Sequence, residues 1–176
     1  MGHPKKHRKK YETPFKPYDR ERISKEKKVM YEFGLRRKKE IWRAEFILRE
    51  FRRRAQDLQA KKDPILEKEL VSKLKKIGID VSALDSVLEI RLENFLSRRL
   101  QTILCKKGYA STPKQARQFI THGHVYIGER RVKWPSYIVK KSEDSMIRLS
   151  DYLRKSTNKA QIASAEAEKN AVRGAA

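Results

Sequence analysis

Residues 99–125 read Arg99-Leu100-Gln101-Thr102-Ile103-Leu104-Cys105-Lys106-Lys107-Gly108-Tyr109-Ala110-Ser111-Thr112-Pro113-Lys114-Gln115-Ala116-Arg117-Gln118-Phe119-Ile120-Thr121-His122-Gly123-His124-Val125. The spacing gives two helix candidates, Arg99 to Lys107 and Thr112 to His122, with a hydroxyl before Pro113 as the start signal of the second. Ala116, Phe119 and Ile120 form one apolar face of that helix. Lys114, Gln115, Arg117 and Gln118 form the other. Short strand candidates follow at His124–Ile127, Arg130–Lys133, Tyr137–Lys140 and Ser145–Leu149, with Gly128-Glu129 as a hairpin turn. Strands this short need the two helices as a cover. A small fold with one face packed and the other basic suits a phosphate backbone.

Working outward, charge is the dominant property. The 176 residues carry 44 Lys and Arg against 22 Asp and Glu, a formal net charge of +22. Self-repulsion of that size favours a polyanionic partner, and nucleic acid ranks above an anionic membrane or an acidic protein. The charge is uneven: +13 over residues 1–62, −1 over 63–98, +8 over 99–150 and +2 over 151–176. The neutral middle is the expected packing hub between two basic surfaces. The single cysteine, Cys105, excludes an intramolecular disulfide and a multi-cysteine zinc knuckle. No run reaches the roughly 18 apolar residues of a membrane span. The basic start, without an apolar block behind it, does not read as a signal peptide, so a cytoplasmic location is expected.

Residues 1–18 mix Lys5, Lys6, Arg8, Lys9 and Lys10 with Tyr11, Phe15, Tyr18 and prolines, a composition for a tail that orders on RNA. Asp19 is placed to cap a helix to about Phe33, with Gly34 as its stop. From about Arg37 to Ala60, Ile41, Ala44, Leu48, Phe51, Ala55 and Leu58 recur at threes and fours and make one apolar stripe. The other faces of this helix carry Arg36, Arg37, Lys38, Lys39, Arg43, Arg49, Arg52, Arg53 and Arg54. Pro64 opens a further helix with Ile65, Leu66, Leu70, Val71, Leu74 and Ile77 as its apolar face, and Gly78 ends it. Residues 79–90 read as a loop with a short turn capped by Ser82 or Asp85. A helix from about Glu93 is expected to run on through Leu96, Leu100 and Leu104 to a stop before Gly108. The tail from Ser156 is rich in alanine, either a surface helix or disordered.

The resulting fold class is α+β: a mainly helical N-terminal part followed by a small domain of two helices and short antiparallel strands. The segments are a basic extended tail (1–18), a basic helical domain (19–98), an RNA-binding domain (99–150) and an Ala-rich tail (151–176). Lys114, Arg117, His122, Arg130, Arg131 and Lys133 form the phosphate clamp expected in the small domain, reading RNA by shape. Tyr126 and Tyr137 are candidates for stacking on bases, with core or edge packing as the equal alternative. His122-x-His124 lacks the carboxylate or thiol of a metal site. No Ser-His-Asp order, paired carboxylates or Gly-rich phosphate loop is present, so neither catalysis nor a cofactor is expected.

Arg99-Leu100, Gly108-Tyr109-Ala110-Ser111, Ala116-Arg117-Gln118, His122-Gly123-His124-Val125 and Pro135-Ser136-Tyr137 together resemble the S-four RNA-binding domain. Gln101 stands where that family usually has an acidic residue, and Ile127 where Asn usually precedes the turn glycine. Arg98-Arg99-Leu100-Gln101-Thr102, Lys5 to Pro14, and Leu35 to Glu45 extend the likeness to the archaeal and eukaryotic branch of the small-subunit ribosomal protein family after which the domain is named. The resemblance implies binding to a multi-helix junction in the 5′ domain of small-subunit ribosomal RNA early in assembly. It also implies neighbouring small-subunit ribosomal proteins and a place beside the messenger RNA entrance. Some relatives carry a cysteine-based zinc site near the N-terminus, which this chain cannot build. A non-permanent assembly or rescue factor is the competing reading. An RNA-modifying enzyme is disfavoured because no stretch is long enough for a catalytic domain. The RNA-binding set comprises the N-terminal basic residues, Arg36, Arg37, Lys38, Arg43, Arg49, Arg52–Arg54, Arg98, Arg99, the clamp, Gln115, Gln118, His124 and Tyr137.

Overall fold

In the computed structural model, residues 2, 9–151 and 153 are described. Lys5, Lys6, Arg8 and the Ala-rich tail from Ser156 lie outside the described residues. The described chain is α+β, in the order α1 (Arg20–Glu32), α2 (Lys38–Lys61), α3 (Pro64–Ile77), α4 (Leu84–Leu88), α5 (Leu92–Ser97), α6 (Leu100–Lys106), α7 (Pro113–Thr121), β1 (Val125–Ile127), β2 (Arg130–Arg131) and β3 (Ile147–Leu149).

Local chemistry sets the first helices. The Asp19 carboxylate accepts from the backbone N–H groups of Glu21 and Arg22 at 3.1 and 3.4 Å, which caps α1. Gly34, at φ +59°, turns the chain after it in a conformation L-residues rarely adopt. The stripe of α2 is buried at Ile41, Ala44, Leu48, Ala55 and Leu58. Phe51 is half-buried and packs on Phe95 with ring centroids 5.7 Å apart. Pro64 begins α3 and Gly78 (φ +86°) ends it. Of the apolar face expected for α3, Leu70 and Leu74 are buried, while Ile65 and Leu66 in its first turn are exposed. Neither Ser82 nor Asp85 caps α4: Ala83 holds the cap position, and the Asp85 carboxylate instead accepts from Gln59 Nε2 at 2.6 Å.

The expected continuous helix from Glu93 to Leu104 is two helices. The apolar period is unbroken there, but the backbone of Arg99 is extended (φ −70°, ψ 141°) and bridges Ile138. Leu100 N–H donates to the Tyr137 carbonyl at 2.8 Å, and Val139 N–H to the Arg98 carbonyl at 3.0 Å. A pairing with chain some 40 residues on therefore outweighs local helix propensity.

The strands form one antiparallel sheet in the order β2-β1-β3. Gly128 takes φ +60° in the β1–β2 turn, and Glu129 does not have positive φ, as in a turn with glycine at its first central position. The strand expected at Tyr137–Lys140 is reduced to that single bridge with Arg99, and Lys141–Met146 forms a 3-10 turn before β3. Sheet and helices share one core of Leu100, Ile103, Leu104, Ala116, Ile120, Val125, Val132, Val139, Ile147 and Leu149. A second core joins Leu48, Ala55 and Leu58 of α2 to Leu70, Leu74, Val87 and Phe95. A third joins Phe33, Leu35, Ile41 and Ala44 to Leu96.

Candidate nucleic-acid interface

The first turns of α2 face the start of α6 and one side of α7 across an open cleft of about 670 Å³. From α2 and its cap come Arg37, Lys39, Glu40 and Arg43. Arg99 and Arg117 come from the opposite wall, Pro135-Ser136 from the loop before Ile138, and Lys10-Tyr11 from the N-terminal segment. The Lys39 ammonium sits 5.7 Å from the Tyr11 ring centre, and Tyr11 tilts against Trp42 at 6.3 Å. Glu12 pairs with Arg49. These contacts hold the end of the basic tail along α2, so its charges add to the cleft. Six Lys and Arg against one carboxylate give a concave positive surface that concentrates an anion.

Glu40 is the one acid of that cleft, and it holds two of its arginines. Arg99 Nη2 donates to one carboxylate oxygen at 2.6 Å and Arg117 Nη2 to the other at 3.0 Å. Burial raises the Glu40 pKa, but the Arg117 hydrogen bond and the charges of Arg99 and Arg117 outweigh it and leave the carboxyl below its ordinary value. Burial pulls Arg99 below its ordinary value, opposed by Glu40. The carboxylate thus fixes guanidinium groups from α7 and from the α5–α6 break against α2.

Gln101 makes a second tie between the same elements. It is fully buried, and its Nε2 lies 3.2, 3.0 and 2.8 Å from the carbonyls of Phe33, Gly34 and Pro113. An ionised acid at this position would have no proton for those acceptors. The amide suits the site because this position faces the Gly34 corner rather than a cation.

The expected RNA-binding residues divide by what else they touch. Arg36, Arg37, Arg43, Arg53 and Arg54 are exposed on or beside α2, and Lys9 and Lys10 on the N-terminal segment. Lys114, Gln118, His122, Arg130 and Lys133 are exposed on the small domain. Lys38 pairs with Glu26 at 3.4 Å. Arg52 donates to the Ile90 carbonyl at 2.6 Å. Arg98 donates to the Ile77 and Val139 carbonyls at 2.7 and 3.1 Å and pairs with Asp144 at 2.9 Å. Arg131 is exposed but wraps back onto the carbonyls of Gly123 and His122 at 2.5 and 2.9 Å. Gln115 accepts from the Ser111 N–H and hydroxyl. His122 and His124 stack with centroids 6.2 Å apart, and His124 Nδ1 lies 3.4 Å from the Ser150 hydroxyl. Tyr137 is half-buried and donates to Glu143; burial first, then that carboxylate, raises its pKa. Half-burial likewise pushes the Cys105 thiol up.

Lys10, Arg37, Arg43, Arg99 and Arg117 are thus gathered into one cleft, whereas Arg53, Arg54, Lys114, Arg130 and Lys133 do not line it. Lys39, Tyr11 and Ser136 line the cleft although none stands in the expected RNA-binding set; Lys39 lies on the basic face of α2, Tyr11 among the aromatics of the tail expected to order on RNA, and Ser136 in the motif that carries the S-four resemblance. Arg148, exposed on β3 and 6.0 Å from the Tyr126 ring centre, is a further cation that the strand alternation could have supplied. Among the described residues no group of three or more His, Cys, Asp or Glu is placed to hold a metal ion, and no helix is long and apolar enough to cross a membrane.

The small domain that forms one wall of the cleft coincides with a recognised module. The model of the S4 domain matches residues 98–145. Over much more of the chain, the small ribosomal subunit protein uS4 of Korarchaeum cryptofilum is 43% identical over 151 residues, covering 84% of this chain and 91% of that protein. The uS4 proteins of Saccharolobus solfataricus and Sulfurisphaera tokodaii are 45% and 46% identical over 153 residues, covering 84% of this chain and 84% and 86% of theirs. The likeness takes in the helical part that supplies the other wall as well as the S4 domain, and on that evidence the chain belongs to the uS4 family of small ribosomal subunit proteins.

Proposed function

We propose that this chain is a structural, non-enzymatic constituent of the small ribosomal subunit that binds its ribosomal RNA. The observation that carries the reading is the cleft, whose cations come from α2 on one side and from the S4 domain on the other. Two basic faces meeting at a concave seam suit a place where RNA helices diverge, because each face can follow one backbone while the seam takes the phosphates between them. That is the sense in which a multi-helix junction fits better than one uniform duplex. Contacts of this type read RNA shape and phosphate spacing, with little base-edge information.

In this reading the basic tail (1–18), helical part (19–98) and S4 domain (99–150) act as one two-sided clamp that engages early in assembly. The bound protein lies near the messenger RNA entrance, against other small-subunit ribosomal proteins, on cytoplasmic ribosomes. The fit with the uS4 relatives over most of their length supports it. Sedimentation of mature small subunits through a high-salt cushion tests it: a constituent remains stoichiometric with the subunit. Quantitative release into the supernatant refutes permanent membership and leaves a transient assembly or rescue factor.

A further inference from the structure

Beside the basic cleft, α2, α5 and the segment after Pro135 enclose a second cavity of about 350 Å³, in the size range of pockets that take small ligands. Its walls are apolar: Ala44 and Ile47 from α2, Phe95 and Leu96 from α5, then Tyr137 and Ile138. Its rim is charged and polar. Glu40, Arg43, Arg99 and Ser136 line this cavity and the basic cleft alike, so the two adjoin there. Glu40 is already held between Arg99 and Arg117. Arg43 is exposed and has no hydrogen-bond acceptor among the described residues, and the buried Nε of Arg99 has none either. The Tyr137 ring is fixed in place through its hydroxyl on Glu143, at 2.9 and 3.1 Å. A ligand matched to this arrangement is amphipathic, with an anion at the rim and a flat apolar body inside.

A nucleotide has that form, but one within a regular RNA helix does not present it, because its base is stacked and paired away from the protein. An unpaired nucleotide does, and unstacked bases are the parts of RNA that proteins stack against aromatic side chains. We propose that this cavity receives a single base turned out of the ribosomal RNA, with the phosphate of the same nucleotide held at the rim by Arg43 and Arg99. The proposal rests on the RNA-binding reading above and adds to it one base-sized site in an interface otherwise made to phosphate.

The experiment uses the full chain bound to a 5′-domain fragment of small-subunit ribosomal RNA, irradiated at 254 nm and mapped by mass spectrometry. A nucleotide attached to Tyr137 is expected. The variant Ile47→Trp fills the cavity without changing any charge. It should weaken binding on the order of 10-fold, within the range for loss of one stacked base, while the dependence on salt keeps its slope. Attachment sites confined to the outer basic faces overturn the proposal, as does undiminished affinity in a folded Ile47→Trp protein. Should the variant fail to fold, the wild-type attachment map decides alone. Titration with free AMP separates a second source of the same chemistry: saturable micromolar binding that protects Tyr137, with no attachment of ribosomal RNA there, overturns the assignment to RNA. Failure of the wild-type chain to bind the fragment at all would instead refute the proposed function.

Discussion

Replacing Gln101 by the acid usual in the S4 domain provides a sharp test of how the two walls are joined. In the native protein the buried amide faces the carbonyls of Phe33, Gly34 and Pro113 at 2.8–3.2 Å. Gln101→Glu puts a carboxyl among three carbonyl acceptors and beside no hydrogen-bonded cation. Ionised, it meets their partial negative charges without water. Protonated, it satisfies one carbonyl at most and must hold a proton at pH 7. Starting from an ordinary Glu value near 4.3, at 1.36 kcal/mol per unit, that proton costs about 3.7 kcal/mol. The acid is therefore expected to destabilise the fold by about 3–5 kcal/mol at pH 7. For a chain of this size that lowers Tm by roughly 10 °C. The sign with pH follows from the raised folded-state pKa of the introduced acid. The penalty is complete above that pKa and shrinks as pH falls through it toward the unfolded value. Gln101→Leu, which removes the donors without adding a charge, should lose about 2 kcal/mol with little change between pH 4.5 and pH 7. Thermal denaturation followed by far-UV circular dichroism at both pH values measures this. A Gln101→Glu protein that melts like the native one at pH 7, or loses stability on acidification relative to it, would refute the assigned role of the amide.

Four further variants probe other parts of the structure. Glu40→Gln removes the acceptor shared by Arg99 and Arg117 and should cost about 3 kcal/mol at neutral pH. Because the folded-state pKa of Glu40 is lowered, its stabilisation is present above the unfolded value and lost as pH falls through the folded one, so the variant's deficit in urea denaturation should narrow in acid; a constant deficit would contradict the pairing. Gly123→Val places a side chain at φ +76°, against the Arg131 guanidinium that bonds the Gly123 carbonyl; it should destabilise the S4 domain by more than 2 kcal/mol on the order of backbone strain plus clash, and unaltered melting would refute that turn. Arg52→Glu should lower stability through loss of the Ile90 contact, whereas Arg53→Glu with Arg54→Glu should leave melting unchanged and weaken binding to ribosomal RNA; equal melting losses in both proteins would show that the three arginines are not distinguished in this way.

Residues with local roles were legible in the sequence. Asp19, Pro64, Thr112 and the glycines at 34, 78 and 128 act within a few residues of themselves, so caps and turns could be read without the tertiary fold. The stripe of α2 was legible because one face repeats over 24 residues. At Arg98-Arg99 the sequence offers both a helix starting at Arg99, which α6 matches, and a run on from Glu93; the apolar period does not choose between them, since the bridge to Ile138 that breaks the run lies far along the chain. The same limit applies to the site. Charge patterning identifies basic faces, and it does not distinguish Arg43, open to the cleft, from Arg52 and Arg98, whose guanidinium groups bond carbonyls 21 to 41 residues away. Ser136 reaches the cleft through the approach of α2 to the S4 domain, and Tyr11 through its contacts with Lys39 and Trp42, pairings that no local pattern encodes.

The proposed clamp requires ribosomal RNA to place phosphates in the cleft between α2 and the S4 domain. Its most direct measure is the affinity for a 5′-domain fragment as a function of salt, for the native chain and for Lys39→Gln with Arg43→Gln. Each phosphate contact contributes about 0.7–0.9 to the slope of log affinity against log salt, so losing two should flatten the slope by roughly 1.4–1.8. An unchanged slope, with affinity retained, would place the cleft away from the RNA.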